Sequence, residues 1–157
     1  LPFVPKFKER TNERNNQTAF EPCTAYSTDE LRAVGVDPAS VKDAAFSDSP
    51  NFRGCDWRSL TASPRDRDYL EYSQIVGKRR TLEEYKREQS FRQFREDRVV
   101  LGRRIVVAAM SNDCSATFQV EATTAVTIVQ ALRPSPGLTR ECDAAVALAS
   151  LGVSKAP

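Results

Sequence analysis

Along residues 114–122 the chain alternates strictly. Cys114, Ala116, Phe118, Val120 and Ala122 are small or apolar, and Ser115, Thr117, Gln119 and Glu121 between them are polar. That two-residue period predicts an antiparallel strand with one buried face. A turn near Thr123-Thr124 then returns the chain, and Val126, Ile128 and Leu132 continue the inward set on the next strand. Shorter apolar runs predict strands at 99–101 and 105–110, with Gly102 as a turn or bulge between them. Two earlier strands, 53–60 and 69–76, flank a turn at Ser63-Pro64, and Gly77 closes the second. Trp57 follows Cys55 by two residues and so shares its face.

Helix signals fall between these strands. Ser27 with Glu30 forms a capping box and Gly35 a stop, which predicts a short helix burying Cys23, Tyr26, Leu31 and Val34. A loop over residues 38–50 leads from it to the first strand. Thr81 with Glu84 starts a second helix over 82–91. Leu82 and Tyr85 share one of its faces, but Phe91 and Phe94 do not, so the helix bends or ends there. After Pro134-Ser135-Pro136-Gly137, Thr139 caps a closing helix whose buried side carries Cys142, Val146 and Ala149, with Ala145, Leu148 and Leu151 alongside. The order α-β-β-α-β-β-β-β-α describes an α+β domain, an antiparallel sheet with helices packed against it. Residues 1–20 show no apolar period and read as a polar arm or tether, touching the domain at most through Phe3, Val4 and Phe7. The single domain occupies 21–157.

A chain of 157 residues fits one such domain. No stretch approaches the ~20 apolar residues of a membrane-spanning helix. There is no histidine, which removes the commonest general base and zinc ligand. No Ser-x-x-Lys, Gly-x-Ser-x-Gly, phosphate-loop or dinucleotide fingerprint is present. Asp56, Asp66, Asp68, Glu71, Asp113 and Glu121 read as surface or turn acids. The sequence thus predicts no enzyme, no metal and no cofactor.

Charge is balanced overall at +2 but not locally. Residues 78–104 hold ten basic side chains against five acidic ones. Arg79, Arg80, Lys86, Arg87, Arg92 and Arg95 are the candidate binding face for an anionic partner, against the plainer reading of a solvated helix with internal ion pairs. Trp57, Tyr69, Tyr72 and Tyr85 are the candidate lining of a groove between helix and sheet, although Trp57 beside a disulfide also reads as a core plug. Nucleic acid is excluded as a partner by the near-neutral charge.

Cys23, Cys55, Cys114 and Cys142 are widely spaced and contain no C-x-x-C pair. An even set of this kind in a small domain predicts two disulfides and an oxidising compartment. Spacing permits three pairings. The turn after the 114–122 strand favours Cys114–Cys142, which leaves Cys23–Cys55. No leader is visible in the charged start, so the chain reads as a mature piece from which a leader and any anchoring residue have been removed.

These cysteine contexts together carry a resemblance. Glu21-Pro22-Cys23, followed by Thr28-Asp29-Glu30-Leu31 and Val34-Gly35-Val36, resembles the "D-P-C … L … L-G" opening of the DUF3558 family. Cys55-Asp56-Trp57 is similar to its "C-x-W" strand and Leu101-Gly102-Arg103 to its "G-R-x-A" strand. Cys114 at a strand start, and Cys142-Asp143-Ala144-Ala145 with Leu148-Ala149, resemble its last two cysteine blocks. The match runs over about residues 21–152, and it departs in Glu21 for the usual Asp and in the basic middle. The resemblance implies an actinobacterial secreted protein, often a lipoprotein, with a PsbP/Mog1-like α+β fold and no assigned catalytic residues. The expectation is a non-enzymatic envelope accessory protein, exported to the outer face of the membrane, that engages a protein partner or membrane complex. The alternative is a carrier of lipid or glycolipid.

Overall fold

A computed structural model describes residues 1–45, 51–61 and 63–157; residues 46–50 of the expected 38–50 loop lie outside the described residues. The elements are α1 (Thr28–Ala33), β1 (Lys42–Asp43), β2 (Arg53–Arg58), β3 (Glu71–Val76), α2 (Leu82–Glu88), β4 (Gln93–Phe94), β5 (Arg98–Val100), β6 (Arg103–Ala109), β7 (Asp113–Val120), β8 (Thr123–Gln130) and α3 (Thr139–Lys155). All strand pairings are antiparallel, in the order β1-β2-β3-β8-β7-β6-β4, with β5 also on β6. The expected α+β class is the one observed.

α1 has its full capping box: Ser27 Oγ accepts the Glu30 N–H, and the Glu30 carboxylate accepts the Ser27 N–H. Thr81 likewise caps α2 by accepting the Glu84 N–H. α2 stops at Glu88, three residues short of the predicted end, because Phe91 and Phe94 cannot share the Leu82–Tyr85 face. β5 and β6 join through Leu101 and Gly102, both in the left-handed region at φ 50° and 75°, the geometry of a two-residue hairpin. α3 starts differently from expectation. Leu138 precedes it in the left-handed region, and Ser135 Oγ rather than Thr139 accepts the Arg140 N–H.

α3 packs across β6, β7 and β8. Its Ala145, Leu148, Ala149 and Val153 meet Ile105, Cys114, Ala116, Phe118, Val120 and Val129 in the main core. Gly152 is the point of closest approach, since a Cβ there would lie 2.9 Å from Phe118 Cζ and 2.9 Å from Tyr26 Oη. Disulfides Cys23–Cys55 and Cys114–Cys142 brace this layer, with Cα–Cα distances of 5.4 and 5.0 Å.

Two readings of the strands change. The β7–β8 turn is Glu121-Ala122, two residues before the predicted position, with Val120 paired to Thr123 and Phe118 to Ala125. Ala125 and Val129 therefore share the α3 face. Val126 and Ile128, predicted inward with them, lie on the opposite face, and Leu132 is exposed. Cross-strand partners share a face, so the even-numbered inward set of β7 takes the odd-numbered residues of β8 with it. A two-residue displacement of the turn leaves these faces unchanged; the expected inward set of β8 follows the larger side chains instead. That opposite face is also covered at one end. Tyr85 of α2 packs there on Val106 and Val126, so Ser115 and Thr117 are buried as well and β7 is closed on both sides.

Residues 1–20 also depart from the expected tether. They form no helix or strand, yet Arg10, Asn15, Thr18 and Phe20 are buried. Phe20 meets the Phe118 ring edge-on at 6.2 Å between centroids. Thr18 Oγ1 donates to Glu121 Oε1 at 2.8 Å. Arg53 of β2 donates to the carbonyls of Asn15, Thr18 and Phe20 and to Glu21. The segment is held by buried hydrogen bonds, which leave no apolar period to read. Val4 alone of the three expected contacts stands free in solvent.

Candidate functional site

The face opposite α3 is covered by α2 over β6–β8 but open over β1, β2, β3 and the end of β8. The open part holds a cleft of about 610 Å³. Register explains its composition. Along β3 the outward set is Glu71, Ser73 and Ile75, preceded by Tyr69; Asp56 and Arg58 come from β2, Ile128 and Gln130 from β8, and Lys42 from β1. The cleft is graded. Arg58, Glu71, Gln130 and Tyr69 lie at the end where β2 and β8 finish; Ile128, opposite Ser73, lies about 7 Å along the strands and Ile75 about 13 Å, both beside the α2 cluster.

Asp56 sits in the floor and accepts a hydrogen bond from Ser73 Oγ. Burial pushes its carboxyl above the ordinary value, only partly offset by the Ser73 bond and by Lys42 and Lys6. Tyr69 donates to Glu71 Oε1 at 3.3 Å. Burial, then the Glu71 charge, raises the Tyr69 hydroxyl. Tyr72 is pushed up to about 12 by burial.

Of the four predicted lining residues, Trp57, Tyr69 and Tyr72 border this cleft. Trp57 and Tyr72 are cross-strand partners whose side chains belong to the α3 core, so they form its backing. Tyr85 is elsewhere, with its hydroxyl 3.2 Å from Ser115 Oγ. The polar lining was missed because Asp56 and Glu71 read individually as surface acids. The available signal was the alternation Tyr69, Glu71, Ser73, Ile75 against Leu70, Tyr72, Gln74, Val76.

The six predicted basic residues do not form one face. Arg80 is buried, donating to Thr124 Oγ1 at 2.8 Å and Glu88 Oε2 at 2.9 Å and lying over the Tyr85 ring. Arg92 pairs with Asp113 at 2.6 Å. Arg95 donates to the Gly137 carbonyl at 2.6 Å, and Lys86 lies over the Phe94 ring. Arg79 and Arg87 are exposed, and their guanidinium groups have no ion-pair partner among the described residues. The local excess of cations is largely taken up in holding β4, β6 and α2 together. No group of side chains that could hold a metal ion occurs among the described residues.

Fold and cleft together define a disulfide-braced α+β protein with one half-open sheet face. The family described as "Protein of unknown function (DUF3558)" matches residues 4–155, and the chain belongs to it. The match takes in most of the N-terminal segment as well as the sheet. No curated protein and no solved structure matches the chain, so the PsbP/Mog1 likeness rests on the family resemblance alone. Two disulfides are compatible with an exported protein, and no helix among the described residues is long and apolar enough to cross a membrane.

Proposed function

We propose that this protein is a non-enzymatic accessory module of an actinobacterial cell envelope, exported to the outer face of the membrane, which takes a segment of a protein partner into the cleft over β1, β2, β3 and β8. The observation that carries this reading is the chemistry of the lining. Lys42, Arg58, Asp56, Glu71, Ser73 and Gln130 offer charged and hydrogen-bonding groups of both signs, and Ile75 and Ile128 offer one apolar subsite. A polypeptide segment with polar groups and one apolar side chain suits such a gradient, whereas an acyl chain would leave these polar groups desolvated without partners. Asp56 and Glu71 already accept bonds from Ser73 and Tyr69, which favours recognition over proton transfer.

A photo-crosslinking residue placed at Ser73 and, separately, at Arg87 tests the reading in native envelopes. A polypeptide adduct from position 73 supports it. An adduct from position 87 alone would return the site to the basic helix, and a lipid-mass adduct from position 73 would favour the carrier.

A further inference from the structure

A second surface lies at one end of the sheet, outside the cleft. Register aligns Arg58 with Glu71, Glu71 with Gln130, Gln130 with Asp113, and Ala109 with both Cys114 and Gln93. The ends of β2, β8 and β6 and the starts of β3, β7 and β4 therefore share one rim. Just beyond it stand Leu60, Leu132, Met110 and Phe91, each between 39% and 64% exposed. They come from four separate segments, yet the strand order sets them in a row five strand spacings long, about 24 Å. Isolated exposed apolar residues need no explanation, but a row of four on one rim does.

The charges between them favour one kind of partner. Asp113 is paired with Arg92 at 2.6 Å, and Arg140 is shared between the exposed Asp68 and the buried Glu141, each at 3.4 Å. Arg65, Arg67 and Arg133 are exposed, and their guanidinium groups have no partner among the described residues. Against these three arginines stand Asp66 and, in part, Asp68; Glu71 lies within the cleft and accepts from Tyr69. Arg140 donates to the carbonyls of Arg67 and Arg133, which ties the two arginine-bearing loops to the start of α3. A row of exposed apolar tips among arginines matches a surface that is apolar beneath and anionic above.

We infer that this rim docks on an anionic lipid bilayer, with Phe91, Met110, Leu132 and Leu60 entering the headgroup boundary and Arg65, Arg67 and Arg133 contacting phosphates. The surface is independent of the cleft's occupant.

The test is co-sedimentation of the full chain with vesicles of phosphatidylcholine, alone or mixed with phosphatidylglycerol. The expected result is binding to the mixed vesicles that falls at least about tenfold in the double variant Phe91→Ser/Leu132→Ser. Replacing Arg65, Arg67 and Arg133 by Gln weakens it by about fivefold per arginine. Val99→Ser/Leu101→Ser, which alters exposed apolar residues at the opposite end of the sheet, leaves binding unchanged. Because every substituted side chain is exposed, unchanged melting confirms that the variants fold. Three results would overturn the inference: no sedimentation with mixed vesicles, equal loss in the Val99/Leu101 variant, or binding indifferent to phosphatidylglycerol. A wild-type dimer in solution that the Phe91/Leu132 variant dissociates, without vesicle binding, would reassign the rim to a contact between copies.

Discussion

Replacing Glu21 by Gln removes the carboxylate that Arg10 and Arg53 share. The two guanidinium groups are 7% and 3% exposed and Glu21 is 20% exposed, so water screens this triad weakly. Arg10 donates to both carboxylate oxygens, and Arg53 reaches Oε2 at 3.0 Å. Deleting one partner of a buried ion pair costs about 3–5 kcal/mol, because the remaining charge stays buried without compensation. Glu21 retains some solvent, so we expect the lower end, about 3 kcal/mol, or roughly 6–12 °C in Tm for a chain of this size. The pH dependence identifies the cause. Burial pushes the Glu21 carboxyl up, but the bonds from Arg10 and the Cys23 N–H and the charges of Arg10 and Arg53 outweigh it and hold it below 4.5. A depressed carboxylate stabilises the fold above its unfolded pKa, and that stability is lost as pH falls through the folded value. The gap between wild type and Glu21→Gln is therefore widest near neutrality and closes in acid. Urea unfolding with intact disulfides, at neutral pH and below the ordinary carboxylate range, measures both. A neutral gap under about 1 kcal/mol, or one that persists unchanged into acid, would refute the reasoning.

Other consequences can be measured in the same way. Gly152→Val places carbon against Phe118 and Tyr26 and should cost about 1–3 kcal/mol in urea, despite the better side-chain burial; a stabilised variant would contradict the close helix approach. Arg80→Met removes a buried cation from Glu88 and Thr124 and should cost about 2 kcal/mol or more, whereas Arg79→Met should stay within about 0.5 kcal/mol; equal effects would restore a common surface role. Asp56 has the opposite sign to Glu21. Its folded pKa is raised, so ionising it opposes folding, and Asp56→Asn should be neutral or stabilising near pH 7 in thermal melts and lose that advantage in acid. Reducing either disulfide should lower stability by about 3–4 kcal/mol through loop-closure entropy, and the oxidised chain should weigh about 4 mass units less than the reduced one.

Features set by near neighbours were legible in the chain itself. The N-caps Ser27 and Thr81, though not Thr139, the β5–β6 turn at Gly102, the alternation of β7 and the Cys114–Cys142 pairing follow from a few adjacent side chains and the geometry of one turn. The lining of the cleft was only half legible. Tyr69, Tyr72 and Trp57 could be chosen as aromatics, but Lys42, Asp56, Ser73 and Ile128 meet only when four strands come into register. The faces of Val126 and Ile128 were misread because the larger apolar side chains were taken as inward. Pairing of Phe118 with Ala125 and Cys114 with Val129 sends the smaller set to the α3 core and leaves Val126 and Ile128 to the α2 side.

The sequence by itself determined the three helices, the six longer strands, the antiparallel α+β class, the oxidised cysteines and the absence of familiar catalytic motifs, since each depends on local period, capping or composition. The two-residue strands β1 and β4 and the order of strands in the sheet came only with the tertiary structure. Only the tertiary structure decided which charges are free. Thr18 meets Glu121 across 103 residues, Arg53 gathers the carbonyls of a segment with no period, and Arg80 and Arg92 disappear into ion pairs. The physical reason is that a charged side chain carries no mark of its partner. Whether it faces water, a lipid surface or a buried carboxylate depends on where distant strands place that partner.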